Sequence, residues 1–200
     1  MILGTLFIGS TIFTLMAKSN PFIKQYFGNK KEIGAIAPSS RFLRNRMMSP
    51  ISFHSTDVII ELGAGNGVFT RELIKRMKNE CKLFVFETNE FFFEQLSNEI
   101  KDKRVVFFND SAELINEKLR EQGIERVDAI VSSLPYAVFP SLVKNNILDA
   151  CVSALHQDGV YVQFQYTLNA HKLLKQKFSK VTLDFTPINM PPAFIYRCKP

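Results

Sequence analysis

From about residue 55 onward the sequence predicts an α/β fold: a seven-stranded, mostly parallel sheet with helices on both faces and an antiparallel final strand. Three observations predict it. Short apolar runs that read as buried strands alternate with stretches of helical spacing, the pattern of strand–helix–strand crossovers. No linker or internal repeat interrupts the alternation. The last two apolar runs are joined only through "INMPP" and supply the antiparallel element.

Taken in order, "DVIIEL" (57–62) is the first strand, followed by "GAGNG" and the helical "VFTRELIKRMK". "KLFVFE" (82–87) is the second, with "NEFFFEQLSNEI" as its helix. "RVVFFND" (104–110) is the third, followed by the helical "SAELINEKLREQG". "VDAIVSS" is the fourth, and "NNILDACVSALHQDG" reads as a helix running into a turn. "VYVQFQY" is the fifth, "AHKLLKQKF" a further helix, and "KVTLDFTP" and "AFIYRCK" the closing pair. A 200-residue chain that is 46% hydrophobic can build such a core without staples. Cys81, Cys151 and Cys198 are scattered, as are His54, His156 and His171. They suggest plain packing in a reducing compartment and no metal site.

Charge divides the chain unevenly. The net charge is +6, and residues 1–50 carry all of it, with seven basic side chains against Glu32 alone. Such an excess points to an anionic partner, the phosphates of a membrane or of a nucleic acid. Residues 1–17, "MILGTLFIGSTIFTLMA", carry no charged side chain. As a helix they would span about 26 Å, slightly short of a hydrocarbon core of about 30 Å. They lack the basic start of a secretory signal. A marginal spanning helix, an in-plane anchor and a helix packed on the domain all remain open, with membrane association favoured. The basic residues that follow would keep the domain on the cytoplasmic side. The chain therefore divides into a hydrophobic and basic segment, 1–50, and the α/β domain, 51–200.

Ligands of such a sheet bind at the carboxyl ends of its strands. After the first strand comes Glu61-Leu62-Gly63-Ala64-Gly65-Asn66-Gly67, where glycine allows close approach of a ligand to the backbone. The second strand ends in Glu87-Thr88, a carboxylate able to accept both hydroxyls of a ribose. The third ends in Asp110-Ser111, where Asp110 can accept from an adenine amino group. A dinucleotide loop would seat a pyrophosphate on the helix N-terminus. Glu61 ahead of the glycines instead suits a cationic ammonium and repels phosphate.

"VIIELGAGNGVFT", Glu87 and Asp110 together resemble the cofactor site of class I S-adenosylmethionine-dependent methyltransferases, a Rossmann-like fold. The resemblance implies that Glu61, Gly63, Ala64, Gly65, Asn66 and Gly67 line the methionine end. It places Glu87 with Thr88 at the ribose, and Asp110 with Ser111 at the adenine. It also gives meaning to the fourth strand end, "VSSLPYAVFP" (131–140), which should meet the methyl acceptor. Ser132, Ser133, Leu134, Pro135 and Tyr136 are similar to the Asn-x-Pro-aromatic motif of ribosomal RNA adenine dimethylases, except that Ser133 stands where those enzymes have Asn. A serine has one hydroxyl and no paired donor and acceptor. Ribosomal dimethylases also append a helical RNA-binding domain, for which the chain has no residues after its last strand.

"GAIAPSSRFL" (34–43), "SSLPYAVFP" and "VQFQY…NMPPAFIY" (162–196) resemble bacterial phospholipid N-methyltransferases, which methylate phosphatidylethanolamine. Ornithine-lipid methyltransferases look much the same, so the head group stays open. By this resemblance the partner is a lipid at an anionic membrane surface, and the enzyme works at the cytoplasmic face of the cell membrane. Methyl transfer needs alignment of amine and sulfonium and exclusion of water. A lipid amine resembles lysine, with only about one molecule in a thousand neutral at pH 7. Ser132, Ser133 and nearby carbonyls can orient its N–H groups, and Tyr136 and Tyr166 can attract the ammonium through their ring faces. Arg41, in an expected helix over 40–48, and less specifically Lys30 and Lys31, are candidates for the lipid phosphate. An adenine methyltransferase acting on nucleic acid and a non-catalytic, cofactor-binding membrane adaptor remain the rival readings.

Overall fold

The apolar runs pair side by side into one sheet in a computed structural model that describes residues 41–189 and 191–200. Its strands are β1 (Val58–Leu62), β2 (Lys82–Phe86), β3 (Val105–Phe108), β4 (Val127–Ser132), β5 (Leu155–Gln165), β6 (Lys180–Thr186) and β7 (Ala193–Lys199). Their order is β3-β2-β1-β4-β5-β7-β6. The pairs from β3 through β5 are parallel, and β7 runs antiparallel to both β5 and β6. The sheet has the seven strands and the antiparallel last strand expected from sequence. Residues 1–17, Lys30, Lys31 and the segment 34–40 lie outside the described residues.

Register decides which side chains face which layer, because alternate residues of a strand point to opposite faces. Ile59 aligns with Leu83 and Ala129, and Ala129 with Val160. These join α1 (Arg41–Met48), α2 (Val68–Arg76) and α3 (Glu90–Glu99) in one buried cluster with Leu43, Met47, Phe69, Leu73 and Leu96. The opposite face presents Ile60, Phe84, Ile130 and Tyr161, also buried. The remaining helices among the described residues are α4 (Ile115–Glu121), entered through a tight turn at Ala112–Leu114, α5 (Ser141–Ala154) and α6 (His171–Lys177). Phe178, just after α6, stacks on Tyr161 at 5.0 Å.

Two local outcomes differ from the sequence expectation. The α5 helix ends at Ala154 and β5 starts at once, at Leu155, where a turn to Gly159 was expected. Leu155 pairs with Val127 and Val160 with Ala129, so residues 156–159 are extra length that bulges from the ladder. His156 Nδ1 accepts the Asp158 N–H at 3.2 Å within that bulge. The second difference concerns α1. Leu43, Met47 and Met48 are fully buried, and burial of each such side chain stabilises by roughly 1.5–3 kcal/mol. Arg46 pairs with Asp184 at 2.5 Å, Arg197 reaches the same carboxylate at 2.9 Å, and Arg44 lies 3.9 Å from Glu72. Part of the basic excess is therefore paired within the domain, while Arg41 is exposed. No helix among the described residues is long and apolar enough to cross a membrane.

Candidate active site

Parallel strands bring the carboxyl ends of β1 to β4 to one edge of the sheet, and backbone bonds continue the ladder past those ends. Gly63 N–H donates to Phe86 O at 2.9 Å, Glu87 N–H to Phe108 O at 3.0 Å and Ser133 N–H to Leu62 O at 2.9 Å. The loop between β1 and α2 is thereby pinned to both neighbouring strands. Its tight course uses positive φ at Gly63, Gly65 and Gly67. A Cβ at Gly67, whose φ is +76°, would meet Leu96 Cδ2 at 2.4 Å, so a larger residue there is strained and must displace the buried Leu96 side chain. A Cβ at Gly65 would meet nothing within 4 Å, so the space over Gly65 is open for a ligand. Gly65→Ala is accordingly expected to weaken cofactor binding at least 10-fold by calorimetric titration. Its cost to folding, in urea unfolding, should stay within the roughly 1–2 kcal/mol of a left-handed alanine.

Alternation along β1 puts Glu61 on the same face as Ile59, beneath α2. It is wholly buried, and neither carboxyl oxygen has a hydrogen-bond partner among the described residues. Burial raises its pKa from the ordinary 4.5 to about 8, against a partial lowering by adjacent Thr70 and a further push from Glu87. Glu87, also buried, accepts the Gly65 N–H on Oε2 and the Asn89 N–H on Oε1, each at 2.8 Å. Its backbone carbonyl receives the Asn109 amide at 2.9 Å. Thr88 and Asn66 are exposed beside it, and Ala64 is buried. Asp110 lies at the end of β3 with Lys118 3.6 Å away, and the Ser111 hydroxyl accepts the Glu113 N–H. The predicted cofactor residues thus sit at or just beyond the carboxyl ends of three adjacent strands, with Glu61 buried beneath α2.

The stretch expected to meet the acceptor follows β4 directly. Ser132 is buried, and its hydroxyl receives the Leu134 N–H at 3.4 Å. Ser133 Oγ is buried with no hydrogen-bond partner among the described residues. Leu134 crosses to the cofactor loop, where a Cβ at Gly63 would sit 2.9 Å from its Cδ2. Tyr136 is turned further inward than its expected role at the ammonium required. It is 1% exposed, and its hydroxyl lies 2.8 Å from that of Tyr161. Tyr161 in turn donates to Gln163 Oε1 at 2.7 Å. Tyr166 is 42% exposed and meets Phe164 edge-on, and Phe164 contacts Phe69 at the start of α2.

Two residues that sequence reasoning did not assign to the site hold this stretch in place. Gln163 and Gln165 both donate side-chain N–H groups to the Leu134 carbonyl, at 3.0 and 2.8 Å. That carbonyl also accepts the Tyr136 N–H, so it is committed to the scaffold. The signal was available: two amides two residues apart on an otherwise apolar strand share one face and must find buried partners.

The family profile for ribosomal RNA adenine dimethylase matches residues 24–180. The chain belongs to that family. An ornithine lipid N-methyltransferase from Singulisphaera acidiphila is 28% identical over 181 residues, covering 89% of this chain and 94% of the relative. A ribosomal RNA small subunit methyltransferase A from Mycoplasmopsis synoviae is 25% identical over 151 residues, and there the chain matches 54% of the relative's length. Among solved structures, a precorrin-6y C5,15-methyltransferase from Geobacter metallireducens superposes with a TM-score of 0.62 at 19% identity, over 80% of this chain and 88% of that one. A SAM-dependent O-methyltransferase from Thermotoga maritima gives 0.58 at 16%, over 86% and 70%. The fold is the Rossmann-like methyltransferase fold, and the protein is a methyltransferase that uses S-adenosylmethionine. The open space at Gly65, the unpartnered buried Glu61 and the Glu87 carboxylate fit that cofactor.

Proposed function

We propose that the protein methylates the primary amine of a membrane lipid head group, that of phosphatidylethanolamine or of an ornithine lipid. The observation that carries this reading is Ser133, a buried hydroxyl without a hydrogen-bond partner among the described residues, at the position where an adenine dimethylase has Asn. Recognition of an adenine edge needs a donor and an acceptor side by side, whereas an alkyl amine needs only an acceptor for its N–H. The end-to-end similarity to an ornithine lipid N-methyltransferase supports the same reading.

When bound, S-adenosylmethionine supplies a methyl group on a sulfonium centre. The residues of this chain bind, orient and keep out water. Glu87 with Thr88 receives the ribose hydroxyls, Asp110 and Ser111 the adenine, and residues 63–67 the methionine end, with Glu61 facing its ammonium. Ser133 Oγ accepts an amine N–H and turns the nitrogen lone pair toward the methyl. Leu134 and Pro135 remove water from the amine, which favours its neutral form. The half-exposed Tyr166 ring attracts the methylated ammonium by about 0.5–2 kcal/mol, a contact that survives loss of the N–H donors. Arg41, with the basic segment before it, draws the enzyme to the anionic face of the membrane.

The test is transfer of labelled methyl from S-adenosylmethionine to vesicles of phosphatidylethanolamine or ornithine lipid, offered beside total RNA. Label in a lipid is the expected result, and chromatography then identifies the head group. Label confined to RNA would overturn the reading and favour an adenine acceptor, as the family name implies. Cofactor binding without transfer to either would mean a non-catalytic binder.

A further inference from the structure

A cavity of about 470 Å³ lies beside the acceptor stretch and has no part in the reaction described above. Its wall runs from Tyr136 through Ser141, Lys144 and Asn145 of α5 to Asn169 and Lys172 at the start of α6. No carboxylate lines it among the described residues. Neither lysine forms an ion pair there, whereas Lys78, Lys118 and Lys177 lie within 3.6 Å of a carboxylate. Two uncompensated ammonium groups, three amides (Asn145, Asn169 and Gln176) and the Ser141 hydroxyl thus border one concave space, a donor set for an oxyanion.

The first turn of α5 and the loops that frame the cavity also expose large apolar side chains. Leu142 is 64% exposed, and Leu168, Tyr166 and Val138 are 49%, 42% and 36% exposed. Exposed leucines beside a cationic cavity match the layered chemistry of a bilayer surface, with acyl chains below and head-group oxyanions above. The charge is complementary to a lipid oxyanion, and Tyr136 joins the cavity wall to the acceptor stretch.

We propose that this cavity binds the oxyanion of a membrane lipid while Leu142 and Leu168 enter the interface beneath it. The inference rests on the lipid reading and deepens it. An amine head group carries its anion a few bonds away, as a phosphodiester in phosphatidylethanolamine or a carboxylate in an ornithine head group. Holding that anion in the cavity leaves the amine on the side of Tyr136 and the β4 end.

Full-length protein is sedimented with vesicles of phosphatidylglycerol and phosphatidylcholine, which contain no amine acceptor, so binding is read apart from methyl transfer. Lys144→Gln with Lys172→Gln is expected to weaken vesicle binding about 30-fold, at roughly 5-fold for each basic residue near an anionic surface. Leu142→Ser with Leu168→Ser should weaken it as well, and melting temperature and cofactor affinity control for folding in both variants. Undiminished vesicle binding in both double variants overturns the proposal. Lysine-dependent binding of soluble glycerol phosphate, together with vesicle binding that the leucine variant leaves intact, also overturns it, because the ligand is then a free phosphate. Vesicle binding lost in both variants, with the native enzyme labelling only RNA, would support the docking surface and sink the lipid acceptor instead.

Discussion

Glu87→Ala is expected to lower affinity for S-adenosylmethionine by about 100- to 1000-fold and to abolish turnover in step. The carboxylate accepts two backbone N–H bonds from Gly65 and Asn89, and it stands at the strand end where the cofactor's ribose is proposed to lie. Hydrogen bonds to a charged group contribute about 1.5–3 kcal/mol each, so loss of the two proposed to the ribose hydroxyls, at the lower end of that range or about 3–4 kcal/mol together, accounts for the expected change. Alanine also leaves the Gly65 N–H without its acceptor and loosens the loop at the glycine over which its space is open. Glu87→Gln keeps the shape and one acceptor oxygen, and should fall between the two. Isothermal titration of the three proteins decides it. Affinity in Glu87→Ala within a few-fold of the native value would mean that the ribose is held elsewhere.

That a carboxylate belongs at this strand end was legible in the sequence, because apolar runs such as "KLFVF" fix where a buried strand stops. The same logic places β1, β3 and β4 to within a residue or two at their carboxyl ends. It fails at the α5–β5 junction because "SALHQDG" contains the ordinary punctuation of a turn. What makes 155–159 part of the strand is register with β4, a tertiary fact carried by the pairs Leu155–Val127 and Val160–Ala129. Arg44 and Arg46 show the same limit. Counted along the chain they belong to a basic segment, yet Glu72 and Asp184 come from elements 28 and 138 residues away.

Within the site, position was more legible than direction. The acceptor stretch lies where the strand pattern puts it, but Tyr136 points inward because a hydroxyl partner, Tyr161, waits on the same face of β5 as Gln163. Gln163 pairs in register with Ser132, so the amide row and the acceptor stretch share that face. Pairings of this kind depend on which strand lies next to β4, and spacing within either strand does not reveal it. Glu61 is the opposite case: its place in the motif was plain, and the cost of its burial was not.

That cost gives the second large effect. A carboxyl whose pKa rises from 4.5 in the unfolded chain to about 8 in the folded one binds its proton more tightly when folded. Below pH 4.5 both states hold the proton and Glu61 does not affect stability. Between 4.5 and 8 only the folded state holds it, so stability falls as pH rises, and above 8 the full penalty of about 5 kcal/mol applies. Glu61→Gln removes the titration. It should leave stability at pH 4 nearly unchanged and raise it by a few kcal/mol at pH 9, less the cost of burying an amide, as urea unfolding across this range would show. The substitution should also weaken cofactor binding, since a neutral amide cannot answer an ammonium. In the native protein, binding near pH 6.5 should release about one proton per site as the carboxyl ionises against that ammonium, and titrations in buffers of different ionisation enthalpy measure this directly. Native stability that is flat from pH 4.5 to 8, with no proton released on binding, would mean that Glu61 is already ionised before the cofactor arrives. Thr70 and the helix above it would then have to hold a buried charge that no described residue pairs.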